Sequence, residues 1–528
     1  MSKTASVSCF SIKSNQAFFI GFLFLVIYWI VGYDGITFSD DVYYLNAGKD
    51  FWDGKMEFND YHFSTRWGAY ILSGLIGYLI GFEPHIISLI SLLSYTISLF
   101  FLVKVLPKSS SAWVLVLWFC TQIYFMHFLT KVYPDGLLVI FITIVSSAAL
   151  YRNSHSILAG CVLIGGLFLG FLTKETIIFL APLPILLFYF DWKAKTISRR
   201  FYVSLVLTGI ILGAVYLGYF WMKFGDPLYR LSSINAGHYI SEFTYADKGF
   251  WSITRRLTIL PILTFVERSY WAWIVFAIPG VYTGLKNRQS SMMEFALAFL
   301  CLFAGFWFMS STLEFYNPIY LNPRHLIILV PILAFLIAAG WNTWNKSIRW
   351  KRLLASLIGL GVLISIVQLD LKMAVFQLGL IGVIFLSNYK YQAIALIVIL
   401  VTPALIAIPY QQNLKQYPTL IKALSKESQK TTGQSLLITN NFLDFSKNVL
   451  FPTQNDVRQK IHGLDYIFLK ENLKVDTVNL FLYTYYQHAY PQEQAEIDSL
   501  INKLEGLNYS QISESNSGII WKRVFTKQ

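Results

Sequence analysis

Cysteine is scarce in this chain: Cys9, Cys120, Cys161 and Cys301 are the only four in 528 residues. All lie in or beside apolar stretches without paired spacing, which excludes a disulfide scaffold or a cysteine metal centre and leaves small buried hydrophobes. Charge is scarce too. Charged residues make up 13% of the chain, about half the share usual in soluble domains. Internal repeats and low-complexity tracts are absent by inspection, which argues against a solenoid or a disordered linker. His62, His238 and His325 show no metal-ligand spacing. No cofactor is therefore expected, with a divalent metal left as an open alternative.

What the chain has is apolar length. It is 55% hydrophobic and 17% aromatic, with a mean hydropathy of +0.52, and apolar runs recur from Phe18 to Tyr410. About thirteen of them approach the roughly 20 residues that a bilayer-crossing helix needs. They are Phe18–Val31, Ile86–Leu106, Trp113–His127, Gly136–Leu150, Ile157–Leu172, Thr176–Phe190, Tyr202–Phe220, Tyr270–Leu285, Phe295–Ser310, His325–Trp341, Leu353–Leu369, Met373–Leu386 and Ile394–Tyr410. A polytopic α-helical membrane domain over residues 1–410 is the expectation.

The net charge of +13 would suit nucleic acid, but the basic residues are spread over short loops. Membrane topology accounts for that spread better. No cleavage site follows the first apolar stretch, so it reads as an uncleaved anchor with a cytoplasmic N-terminus. Trp67–Phe82 is short and glycine-rich and is expected to lie along the outer interface. The loops with Lys104, Lys108, Arg152, Lys193, Arg199, Arg200, Lys346 and Arg349 then fall inside, as the positive-inside rule requires. The same parity puts three features outside: loop 34–82 with its juxtamembrane helices, the long loop 222–269, and a soluble domain over 411–528. In that domain Ser435–Thr439, Tyr466–Leu469, Val478–Thr484 and Ile519–Val524 read as strands, and Gln492–Leu504 as an amphipathic helix after Pro491. An integral multi-pass protein of the plasma (inner) membrane is expected.

The unusual polar residues gather at the outer ends of the spans. Asp40 and Asp41 follow the first span directly. One reading is capping of a short helix from Val42. The other is that one carboxylate accepts the proton of an attacking hydroxyl or amine while its neighbour orients it. Arg66, Lys174 and Arg324 can hold a phosphate, because cations match its oxygens and neutralise charge that builds on a leaving group. Arg66 and Arg324 can also simply snorkel, and Asp135 can be no more than an acid at a helix start behind Pro134. Trp67, Trp271 and Trp273 read as an interfacial anchoring belt.

In order, these segments resemble the GT-C superfamily of membrane glycosyltransferases, in the branch of protein O-mannosyltransferases and the lipid A aminoarabinose transferase. The matching features are Asp40-Asp41 with Tyr44 three residues on, Arg66 before Trp67-Gly68, Tyr133-Pro134-Asp135, Gly170-Phe171-Leu172-Thr173-Lys174 and Arg324-His325-Leu326. Asp41 stands where Glu is common, and His325 where Tyr is. The resemblance implies transfer of a sugar, with inversion, from a polyprenyl-phosphate donor to an extracytoplasmic lipid, glycan or protein. It implies Asp40 as the general base with Asp41 orienting the acceptor or contacting the sugar, Arg66, Lys174 and Arg324 on the donor phosphate, and Tyr44, Asp135 and His325 near substrate. A transporter or flippase of lipid-linked sugar is the rival class; charges near the bilayer midplane would favour it.

Overall fold

The computed structural model describes residues 13–58, 61–234, 244–286, 292–312, 314–431, 433–468, 473 and 475–528. Among these, eight helices are long and apolar enough to cross a membrane, from Ser14–Val31 to Tyr389–Lys430, with one more if a bent pair counts as a single span. Trp67–Ile80, Pro134–Leu150, Met293–Phe308 and Leu371–Phe385 are shorter apolar helices. Burial differs widely among the long helices: in Pro323–Asn345, 83% of the apolar window is inside the protein, against 11% in Arg199–Phe224. The first is a central helix, and the second presents Val206, Ile210 and Val215 outward, as lipid contact demands.

The stretch Trp113–His127, read as one span, is broken. Helices Ala112–Phe119 and Ile123–Leu129 meet at 72°. At the break the Thr121 hydroxyl donates back to the Leu117 carbonyl at 2.6 Å, and the Gln122 side chain accepts from the Phe125 amide at 2.7 Å, so that it caps the second helix. Hydropathy does not register such a cap.

The chain forms two compact units. The first comprises residues up to Ile30, Glu57–Ala69 and Ile90–Leu405. Close helix contacts within it run through glycine: a Cβ on Gly280 would lie 2.1 Å from the Leu336 carbonyl oxygen. Trp271 is half-buried and Trp273 buried. Their indoles donate to the carbonyls of Leu357 at 2.8 Å and Trp118 at 2.9 Å. Arg152, expected as a loop cation, is buried. Its guanidinium binds Asp191 at 2.9 Å, pairs with Glu294 and caps Ala149, while the Tyr202 hydroxyl donates to Asp191 at 2.8 Å. Four helix ends are tied by this knot.

The second unit comprises Val31–Met56, Tyr70–Leu89 and Ile406–Gln528. Its sheet contains β1 (Ser435–Thr439), β2 (Ile461–His462), β3 (Thr477–Tyr483), β4 (Tyr509–Asn516) and β5 (Ile520–Lys527), in the order β2-β1-β3-β5-β4. β1 pairs in parallel with β2 and β3, and β5 runs antiparallel to β3 and β4. The helix Gln492–Gly506 lays Ile497, Leu500 and Leu504 against Ile438, Leu480 and Phe525. Tyr466–Leu469 is not a strand: Leu464–Ile467 forms a 3₁₀ turn, and Leu469 lies outside the described residues. β4 escaped the sequence reading because, of its eight residues, only Tyr509 is buried. An edge strand with polar faces shows no alternation.

Within this unit the helix Asp40–Trp52 packs on Trp67–Ile80 at Gly48 and Gly74. A Cβ on Gly74 would lie 2.4 Å from the Gly48 carbonyl oxygen, so the backbones touch. Helix Trp67–Ile80 has 14 residues, a length of about 21 Å at 1.5 Å per residue, short of the roughly 30 Å hydrocarbon layer.

Candidate functional site

The acid loop belongs to the second unit. Asp41 is 1% exposed, and its two oxygens accept the amides of Thr37 at 2.6 Å, Ser39 at 3.1 Å and Val42 at 3.0 Å. This carboxylate takes the Val42 amide of the helix as well as two loop amides, and Ser39 makes no side-chain cap. Three backbone donors occupy both oxygens, so Asp41 folds the loop. Asp40 is only half-buried, with the Ser39 hydroxyl 3.5 Å from Oδ1. Of the two acids, Asp40 has the greater access to solvent. Tyr44 is fully buried and meets Tyr43 edge to face.

The loop is held at several points. Phe38 adopts a left-handed φ of 55°, and its carbonyl accepts the Tyr490 hydroxyl at 2.5 Å. The Tyr486 hydroxyl donates to the Ile36 carbonyl at 3.4 Å. Asp34 is paired to Lys415 at 2.9 Å, both being buried.

The cations gather in the first unit. Helix Ser156–Thr173 ends at Lys174, whose extended backbone (φ −161°, ψ 144°) starts the 3₁₀ helix Glu175–Leu180. That reversal buries Lys174 and turns its ammonium onto Asp135, at 2.7 and 2.9 Å from the two oxygens. Arg324 reaches the same carboxylate at 3.6 Å and lies over the Tyr133 ring. Glu175 receives two arginines. Arg66 donates at 2.8 and 3.2 Å, and Arg230 at 2.5 and 3.1 Å. Arg66 is brought in by Gly68, where a Cβ would lie 2.2 Å from the Thr173 hydroxyl.

Among the described residues, four cations thus gather around two carboxylates. Lys174 lies between two candidate spans. Burial lowers its ammonium to about 8, Asp135 opposes the shift, and Arg324 and Arg66 add to it. Guanidinium and ammonium donors gathered in this way can match the oxygens of a phosphate.

Of the expected residues, Arg66, Lys174, Asp135 and Arg324 come together in this cluster. Asp135 acts in it as a counter-ion, fully buried. His325 borders it, half-buried, with Nε2 3.5 Å from Arg324 and Nδ1 facing the Tyr320 carbonyl at 2.9 Å. Arg256 is not among them: it binds the carbonyls of Phe306, Trp307 and Ile319. His238 lies outside the described residues. Sequence reasoning missed Arg230, 1% exposed on the short helix Tyr229–Ser233. No local pattern marks it; only its site in the long loop pointed that way. No group of three or more possible metal ligands occurs among the described residues.

No protein-family model and no curated protein matches the sequence. Solved structures do match. The ArnT of Cupriavidus metallidurans bound to undecaprenyl phosphate superposes with a TM-score of 0.62 at 12% identity, over 96% of this chain and 97% of that one. Its apo state gives 0.59 at 13% identity, over 97% and 98%. ArnT is a lipid A aminoarabinose transferase. At such identities the likeness is one of fold: this chain has an ArnT-like fold over nearly its whole length.

Proposed function

We propose that this chain is a membrane glycosyltransferase that moves a sugar from a polyprenyl-phosphate donor to an extracytoplasmic acceptor with inversion. The observation that carries the reading is the gathering of Arg66, Lys174, Arg230 and Arg324 around Glu175 and Asp135. Guanidinium and ammonium groups held together in this way match the oxygens of a phosphate and meet the charge that builds on it as a leaving group. Support comes from the fold, since a solved protein that shares it binds undecaprenyl phosphate.

In this reading Asp40 takes the proton of the acceptor's O–H or N–H as that atom attacks the anomeric carbon. The new bond forms on the face opposite the phosphate, and the carbon–oxygen bond to the phosphate breaks. Its electron pair leaves with polyprenyl phosphate, whose added charge the cations meet. Asp41 keeps the loop in shape, and the chemistry calls for no further cofactor. The reading includes about thirteen spans, a cytoplasmic N-terminus, and the acid loop and residues 411–528 on the outer side, as the short basic loops favour.

The test is transfer from a labelled polyprenyl-phosphate sugar by the purified full chain in lipid discs, with donor and acceptor first narrowed by mass spectrometry of envelope lipids, glycans and glycoproteins from cells with and without the gene. Asp40→Asn should lower turnover by about 10²–10⁴ without loss of folded protein. Turnover near the parent level in this variant would sink the general-base role.

A further inference from the structure

Phe38 is an unusual residue to find in a left-handed backbone conformation, with φ at 55°. A bulky side chain there costs of order 1 kcal/mol or more and persists only where the surroundings impose it. Those surroundings belong to the second unit. The Phe38 ring is enclosed by Phe442, Tyr483, Tyr486 and Tyr417, at centroid distances of 5.3 to 6.3 Å. Its carbonyl, turned by the strained φ, receives the Tyr490 hydroxyl. Two residues further along the chain is Asp40.

Tyr490 is itself fixed. It stacks on Phe442 at 5.0 Å and 21°. The start of the helix that carries Phe442 is anchored by the buried Glu493, which accepts from the Phe442 amide at 3.3 Å and from the Asn440 side chain at 2.8 Å. Asn440 in turn accepts the Tyr483 amide at 2.7 Å. A continuous set of contacts therefore runs from the sheet domain to the turn that bears the acids.

We propose that Tyr490 is a positioning residue for Asp40: its hydroxyl holds the Phe38 carbonyl in the strained turn, and so sets the orientation in which Asp40 meets the acceptor. The sheet domain thereby takes part in catalysis through the backbone of residues 37–41 and not through a group of its own. Burial, then the carboxylates of Asp41, Asp40 and Glu493, raise the Tyr490 phenol to about 12, with Ser39 opposing. It stays a donor throughout the working range of the enzyme. This inference rests on the general-base role of Asp40 given above.

Tyr490→Phe removes one hydroxyl and keeps the ring. The expected result is a kcat lower by about tenfold, a KM for the donor within about twofold of the parent, and an altered acid limb of the pH–rate profile, since a misplaced base changes the chemical step more than donor binding. A parent-like kcat and profile would overturn the proposal. So would a loss that vanishes when rates are normalised to folded protein by size-exclusion and thermal unfolding, because a purely structural contact leaves kcat per folded molecule unchanged. Asp40→Asn is measured alongside. If that variant is active, the base assignment fails; if it is dead while Tyr490→Phe is normal, only the positioning role fails.

Discussion

The acid loop and the cation cluster solve opposite problems. In the loop two like charges adjacent in sequence are separated in function by the backbone: Asp41 is consumed by three amides, and Asp40 is left half-buried with a Ser39 hydroxyl nearby. In the cluster, charges scattered from Arg66 to Arg324 are drawn together around Glu175 and Asp135. One region differentiates neighbours, and the other unites strangers. A base needs one ionised oxygen with room around it, whereas an anion site needs several cations whose mutual repulsion is offset by fewer carboxylates.

Three experiments bear on that contrast. The largest effect is expected from the cluster: Arg66→Ala or Arg230→Ala should raise the donor KM by about 10–100-fold, the scale of a lost hydrogen bond to a charged group. Titration of each variant with a polyprenyl-phosphate sugar checks this, and an unchanged donor dependence removes that arginine from the site. Asp41→Asn is next. It should lower stability by about 1–3 kcal/mol, since an amide side chain cannot match the carboxylate's acceptance of three backbone donors. Thermal unfolding in detergent reads that loss, and a parent-like melting temperature would mean that the loop does not depend on Asp41. The smallest effect concerns pH. The Lys174 ammonium, lowered to about 8, loses its proton as pH rises through that value, so one positive charge is lost from the cluster and donor binding should weaken by roughly threefold to tenfold. Lys174→Arg should remove the dependence; a parent with pH-independent binding between about 7 and 9 would exclude Lys174 as the titrating group.

The membrane character of the chain is legible because it depends on composition, and hydropathy sums over many residues. Asp40, Arg66, Lys174 and Arg324 are legible because a charge beside an apolar run is conspicuous. Arg230 is not: it is one more arginine in a polar loop, and only the fold brings it to Glu175. The division of labour between Asp40 and Asp41 is invisible for another reason. It depends on the left-handed Phe38, and nothing in a phenylalanine announces that conformation. The break at Cys120–Gln122 and the edge strand β4 were missed because a cap and a polar strand leave hydropathy unchanged or patternless.

The Arg152 knot has a consequence for biogenesis. Asp191 follows Arg152 by 39 residues and Glu294 by 142, so ribosomal order supplies the first carboxylate long before the second. An arginine buried without a partner is costly. In the order of synthesis Asp191 is the first of its two carboxylates to exist, and Glu294 comes later. The Oε2 atom of Glu294 has no hydrogen-bond partner among the described residues.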